Sequence, residues 1–206
     1  ANLDGLRVDT YPYIEMIPGS EWVKAIMDEY PNFNIVGECW TRPASAVAYW
    51  QTGVKNYNGF DSHLPSVMDF PVEEAIRQAL EKDGKQWGEG LTRVYDAVAM
   101  DYLYGDVNNI LLMLGNHDMD RIADVVMDQD PRRVKIAYTL LATMRGIPQV
   151  FYGDEYAMKS ADRRMGHSTL RMPLPLGEAV TAEMQDMFDY QSRLFQWRKG
   201  EKVIHT

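Results

Sequence analysis

Three acidic residues of this 206-residue chain each close a short apolar run: Asp9 after Gly5-Leu6-Arg7-Val8, Glu38 after Asn34-Ile35-Val36-Gly37, and Asp118 after the run from Leu111 to His117. Carboxylates so placed sit at strand ends. Parallel neighbouring strands share a rim at their carboxyl ends, where α/β sheets and barrels build their active sites. Arg7 lies two residues before Asp9, so the period of a strand puts guanidinium and carboxylate on one face, placed to pair. Neighbouring strands lie ~4.8 Å apart, which would bring the Asp9 and Glu38 carboxyl groups within roughly 5 to 6 Å. Retaining glycosidases need about 5 to 5.5 Å between two such groups, and inverting ones about 6.5 to 9.5 Å. In the retaining chemistry Asp9 attacks an anomeric carbon as nucleophile. Glu38, whose protonated form burial and an anionic neighbour would favour, protonates the leaving oxygen and then activates water. Asp118 would stabilise an oxocarbenium-like transition state, with a neutral His117 donating beside it.

Each feature alone has a plainer reading. Arg7 and Asp9 fit an internal ion pair, Glu38 a solvated strand-end acid, and Asn116-His117-Asp118 a turn or helix cap. A metal site of His117, Asp118 and Asp120 matches no common ligand spacing. Jointly, three acids at three strand ends with Arg7 in phase predict side chains that converge on a single sugar-sized pocket.

Composition is that of a globular protein, 46% hydrophobic, 11% aromatic and 25% charged, enough for one domain with a sizeable core. The net charge of -9, with no basic cluster, argues against nucleic acid and anionic membranes as partners and fits a neutral polar ligand. The single cysteine, Cys39, cannot form an internal disulfide, which leaves the compartment open. No apolar stretch approaches the ~20 residues that span a bilayer. The start at Ala1-Asn2-Leu3-Asp4, almost directly on a strand, suggests a fragment.

The elements that must position the acids alternate in type. Strands are expected at Leu6 to Val8, Phe33 to Gly37, Ser66 to Asp69, Ile110 to Leu114 and Pro148 to Tyr152. Between them, helices are expected from about Glu21 to Tyr30 with Ser20 as N-cap, after Pro71, over Leu91 to Leu103, and from Asp130-Pro131 to Gly146. A closing helix runs from Thr181 to Lys199 and ends at Gly200. In that last helix Met184, Met187, Phe188, Leu194 and Trp197 form an apolar stripe expected in the core. Arg163 to Glu178 reads as an irregular excursion, and His63, His167 and His205 carry no accompanying constellation. Asp154 and Glu155, also at the rim, read as structural hydrogen-bonding groups. Five strand-helix units in order argue for a parallel sheet with right-handed crossovers. At about 41 residues per unit, a closed eight-unit barrel would need roughly 330, so about three units are missing.

At these residues the chain resembles the α-amylase family of glycoside hydrolases (family 13). Asp4-Gly5-Leu6-Arg7-Val8-Asp9 is similar to the family's nucleophile strand, Val36-Gly37-Glu38-Cys39-Trp40 to its acid/base strand, and Leu114-Gly115-Asn116-His117-Asp118 to its third conserved acid. Phe60 to Pro71 and Arg145 to Glu155 add to the likeness, the latter similar to the family's last barrel strand and loop. Neopullulanase and cyclomaltodextrinase types, including periplasmic starch-utilisation enzymes, are the nearest in pattern. The resemblance implies a (β/α)8 TIM barrel of which residues 1–206 are one C-terminal portion, strands four to eight. It implies a retaining α-glycoside hydrolase or transglycosylase on maltooligosaccharides, cyclodextrins, pullulan or starch, with Asp9, Glu38 and Asp118 catalytic and Arg7 and His117 at the substrate. Trp40, Tyr11 and Tyr13 are the aromatic candidates for packing on sugar rings. No cofactor and no metal ligand are implied within this sequence; a calcium site, where the family has one, belongs to the intact parent. The family's first conserved motif would lie upstream, so the alternative is a non-catalytic glucan-binding or structural fragment. An open five-strand piece would also expose an edge, which predicts self-association.

Overall fold

The computed structural model describes residues 3–82, 84–126, 128, 130–161 and 166–204. They form two compact units. One comprises Ala1–Glu74, Tyr95–Leu112 and Arg145–Ile147, the other Ala75–Val94, Met113–Met144 and Pro148–Thr206.

The first unit is built on three parallel strands, β1 (Gly5–Val8), β2 (Asn34–Gly37) and β3 (Ser66–Val67), in the order β1-β2-β3. Parallel pairing requires crossovers. Helix α1 (Met16–Glu29) supplies the first and α2 (Ala44–Ala48) lies in the second. Met68 pairs in parallel with Leu111, which begins β4 (Leu111–Met113). The core of this unit gathers Tyr11, Val23, Ile35, Val47, Leu64, Val67 and Ile110. In the register Val8 lies opposite Gly37, so Asp9 and Glu38 leave adjacent strands side by side.

Helix α1 starts five residues before the expected Glu21. Pro18 falls within the first turn, where a missing N–H costs no hydrogen bond, so it does not delay the start. Ser20 is therefore not the cap. It lies inside the helix, its hydroxyl donating to the Ile17 carbonyl at 3.0 Å. Helix α3 (Phe70–Glu81) does carry Pro71 in its first turn and is capped by Asp69, whose carboxylate accepts the Val72 N–H at 3.2 Å. Asp69, read from sequence as a strand residue, is fully buried and meets Arg145 Nη1 at 2.5 Å. The same guanidinium donates from Nε to Asp101 at 2.9 Å. Gly146 follows with φ of 87°, and a Cβ there would stand 2.6 Å from the Ile110 carbonyl oxygen. The single helix expected over Leu91 to Leu103 is instead α4 (Thr92–Val98) followed by a 3-10 turn at Asp101–Leu103.

The second unit is largely helical, with α5 (Ile122–Val126), α6 (Arg132–Thr143) and α7 (Ala182–Gly200). Strand β5 (Ile147–Gln149), shorter than expected, forms a two-stranded sheet with β4; the division between units passes through both strands. Thr181 accepts the Met184 N–H at 3.3 Å, so the expected start of α7 carries its side-chain cap, whereas the cap position of α6 is taken by Pro131, which has no side-chain acceptor, and Asp130 one residue earlier accepts the Arg132 N–H at 2.9 Å. The expected apolar stripe of α7 is corrected: Met187 is buried, but Phe188 and Trp197 are exposed. Gln191 and Arg198 are buried in their stead, because this face of α7 meets open carbonyls. Arg198 donates to Ala142 and Met144 carbonyls, each at 2.8 Å, closing the end of α6, and Gln191 donates to the Asp154 carbonyl at 3.0 Å. In the excursion after residue 160, residues 163–165 and His205 beyond it lie outside the described residues; His167–Leu170 and Gly177–Ala179 are 3-10 turns. No helix among the described residues is long and apolar enough to cross a membrane.

Candidate active site

The end of β1 and the end of β2 meet through one side chain. Arg7 donates from Nη1 to Asp9 Oδ1 and from Nη2 to Glu38 Oε1, so a single guanidinium holds both carboxylates. The Glu38 N–H donates to the Val8 carbonyl at 2.9 Å, which carries the strand pairing one residue beyond β2 and sets the two acids at the ~4.8 Å spacing of neighbouring strands. Their surroundings differ. The Asp9 side chain is 66% exposed, that of Glu38 4%. After Asp9 the chain turns at Thr10 in the left-handed region, φ 44°, a conformation uncommon outside glycine and recurrent at functional sites. The turn aims the Thr10 N–H at Glu38 Oε2, 3.0 Å, and the Tyr11 N–H at the Glu38 carbonyl, 3.1 Å. Glu38 is thus gripped on both oxygens in a buried setting, while the exposed Asp9 takes Arg7 on Oδ1 and the Thr10 hydroxyl on Oδ2 at 3.4 Å. Thr10 was not legible as a site residue, since its shorter contact is made by its backbone N–H.

Of the three aromatic candidates, Tyr11 is corrected. It is 2% exposed, packed edge-on against Trp50, and its hydroxyl donates to the Ser62 carbonyl at 3.4 Å. Burial raises its phenol to about 12, with the charges of Cys39 and Asp61 adding to the effect. Its ring belongs to the core, and no face of it is open to a sugar. Tyr13 is 88% exposed in the 3-10 turn Tyr11–Tyr13. Trp40 is half exposed and stacks on Phe70 with ring centroids 5.0 Å apart and planes within 9°, which fixes the indole and leaves its other face to solvent.

Asp118 lies in the second unit, five residues past β4. His117 Nε2 meets its Oδ2 at 3.1 Å; its Oδ1 takes Arg171 Nη2 at 2.7 Å and His167 Nδ1 at 3.1 Å. Its own N–H donates to the Asn116 side-chain oxygen at 2.8 Å. Burial alone would raise the carboxyl, but the hydrogen bonds from His167 and Arg171 and the charges of His117 and Arg171 outweigh it and hold it below its ordinary value. His167 and Arg171 stand 49 and 53 residues away in sequence, and no local spacing marked them. Asp154, in the same unit, is buried against Arg121 at 2.7 Å and accepts the Tyr138 hydroxyl at 3.1 Å, the structural bonding expected of it. Burial pushes its carboxyl up to about 6, against the pull of Arg121. Among the described residues no three His, Cys, Asp or Glu side chains gather as a metal site. A groove of about 690 Å³ between the starts of α6 and α7 holds none of the expected acids.

Comparison with known proteins gives the chain relatives in both sequence and fold. The chain is 29% identical over 203 residues, 98% of its length, to a cyclomaltodextrin glucanotransferase of Bacillus sp. (strain 6.6.3), of which it covers 25%. In fold it is similar to an Anoxybacillus alpha-amylase, with a TM-score of 0.80, 20% identity and 98% of this chain against 41% of that one. It is likewise similar to the alpha-amylase of Geobacillus thermoleovorans solved in complex with acarbose, with a TM-score of 0.77, 23% identity and 98% against 42%. The chain spans about a fifth to a quarter of the length of the curated relatives it matches. The profile of the alpha-amylase catalytic domain matches residues 1–203, and the chain belongs to the alpha-amylase family.

Proposed function

We propose that this chain carries the catalytic acids of a retaining α-glycoside hydrolase or transglycosylase acting on α-glucans such as maltooligosaccharides, cyclodextrins, pullulan or starch. The observation that carries the reading is the shared guanidinium: Arg7 bonds both Asp9 and Glu38 at the ends of adjacent parallel strands. Acids on neighbouring strands, ~4.8 Å apart, fit the short separation of about 5 to 5.5 Å that direct attack by one carboxylate needs. Asp9, the more exposed acid, paired with Arg7, is the nucleophile. Glu38, recessed and gripped on both oxygens, is the acid and then the base. Asp118 is the third acid, with His117 beside it, and Trp40 and Tyr13 are the aromatic contacts. Family membership and the acarbose complex of a protein similar in fold support a glucan as substrate. On this reading the five strands are strands four to eight of a (β/α)8 barrel, in a protein of neopullulanase or cyclomaltodextrinase type, and residues 1–206 are part of one catalytic domain.

The test follows the first product by NMR when the protein, expressed from its complete gene, is given maltooligosaccharide. An α-anomer that later mutarotates supports retention; a β-anomer would refute it. The 206-residue chain by itself decides the second reading, a non-catalytic glucan-binding piece, which its short span of the relatives favours. Maltose binding without release of reducing sugar would establish that reading for the isolated chain. Strand β1 lies at the edge of the three-stranded sheet, and Leu3 beside it is 62% exposed. We therefore expect the isolated chain to self-associate, and a stable monomer by light scattering overturns that expectation.

A further inference from the structure

We propose that Arg171 and His167 are positioning residues that fix the Asp118 carboxylate in the orientation its role requires, an inference that rests on the reading of Asp118 as the third acid. An ionised carboxylate only accepts hydrogen bonds, so each nitrogen that meets it must carry a proton. Asp118 Oδ1 takes two such donors, Arg171 Nη2 at 2.7 Å and His167 Nδ1 at 3.1 Å. Arg171 also donates from Nε to the His117 carbonyl at 3.2 Å. One planar guanidinium therefore grips both the backbone and the side chain of the His117-Asp118 pair, which fixes the carboxylate plane as well as its charge. Lysine, a point charge on a flexible stem, cannot reproduce that double contact.

The segment that carries the two donors is itself built in. Thr169 and Leu170 are buried between them, and the Leu170 carbonyl accepts Arg121 Nη2 at 2.9 Å. The Tyr152 hydroxyl donates to the Met172 carbonyl at 3.0 Å, and the Ala161 N–H to the Thr169 carbonyl at 3.2 Å. Arg121, fully buried on Asp154, thus anchors the backbone from which His167 and Arg171 reach out. The two donors are largely exposed, 64% for His167 and 50% for Arg171, so burial contributes little to holding them there. Their shared contact is with Asp118.

The experiment uses the protein expressed from its complete gene, with Arg171→Met, Arg171→Lys, His167→Ala and His167→Gln. Two readouts are taken, steady-state kinetics on maltooligosaccharide and the titration of the Asp118 carboxyl followed by carbon NMR. A misplaced catalytic group costs on the order of 10²-fold, so Arg171→Met should lower kcat by about that factor, with a smaller change in KM. Its Asp118 titration should move upward. Arg171→Lys should recover the titration more than the turnover, and His167→Gln, which still donates, should exceed His167→Ala in kcat. The inference is overturned if Arg171→Met and His167→Ala leave both kcat and the Asp118 titration unchanged. Asp118→Asn separates the two readings: if it keeps full turnover, Asp118 is not the third acid, while an upward titration in Arg171→Met still establishes the positioning contact.

Discussion

At the scale of single residues, Arg7 is the side chain that joins the two strand-end acids. It is 30% exposed, bonds two carboxylates of opposite exposure, and stands where a strand's period of two predicts it. Arg7→Met leaves Asp9 and Glu38 facing each other without their shared cation. We expect kcat to fall on the order of 10²-fold or more and stability to drop by roughly 1 to 3 kcal/mol, measured by urea unfolding. Wild-type turnover would exclude a role for the shared guanidinium. Glu38→Gln keeps shape and one acceptor oxygen but loses the transferable proton. It should cut turnover by about 10² to 10⁴ with a melting temperature lowered by no more than a few degrees. The pair Arg7 and Asp9 was legible because both lie on one strand. Thr10, His167 and Arg171 were not, since a backbone N–H has no side-chain signature and the other two arrive from a distant turn.

At the scale of elements, Gly37 decides how closely β2 can pack. A Cβ there would stand 2.5 Å from Leu64 Cδ2 and 3.2 Å from the Tyr11 ring. Gly37→Ala must push one of these core side chains aside next to Glu38. The expected cost is about 1 to 3 kcal/mol in urea unfolding, with a loss of activity larger than that of a remote core variant of equal stability. Thr181→Ala removes the cap of α7 and should cost ~1 kcal/mol by the same measurement. The start of α7 at Thr181 was legible in sequence, as was the place where α6 begins, although Pro131 rather than Asp130 holds its cap position. The start of α1 was not, because Glu15 caps it without a side-chain hydrogen bond. The stripe of α7 misled for a physical reason: a face that meets carbonyl ends takes donors such as Arg198 and Gln191, and helical spacing of apolar residues cannot reveal what lies opposite.

For the whole molecule, the shifted carboxyl groups set opposing slopes of stability against pH. Asp130 is lowered to about 2, chiefly by its hydrogen bonds from Arg132, and Asp118 is lowered too. Groups depressed on folding contribute stability above their unfolded value near 4, and that contribution is lost as pH falls through the folded value. Asp154 has the opposite sign. Raised to about 6, it contributes fully below pH 4 and loses that contribution as pH rises through 6. The difference in unfolding free energy between wild type and Asp154→Asn should therefore shrink from pH 4 to pH 7 in urea melts, and a difference constant with pH would refute the assignment. Above pH 6, where Asp154 is ionised, Asp154→Asn also leaves Arg121 buried without a carboxylate.

Strand periodicity, cap chemistry and the order of acids along the chain were enough to determine the alternation of strands and helices and the pairing of Arg7 with Asp9, because these depend on neighbours within a few residues; the family entered through the resemblance of short motifs such as Asp4 to Asp9. Folding alone decided that Tyr11 is core, that Arg7 spans to Glu38, and that Arg171 and His167 close on Asp118. Those contacts join residues tens of positions apart, and the free energy that selects them comes from burial and hydrogen-bond geometry in three dimensions, which no local spacing encodes.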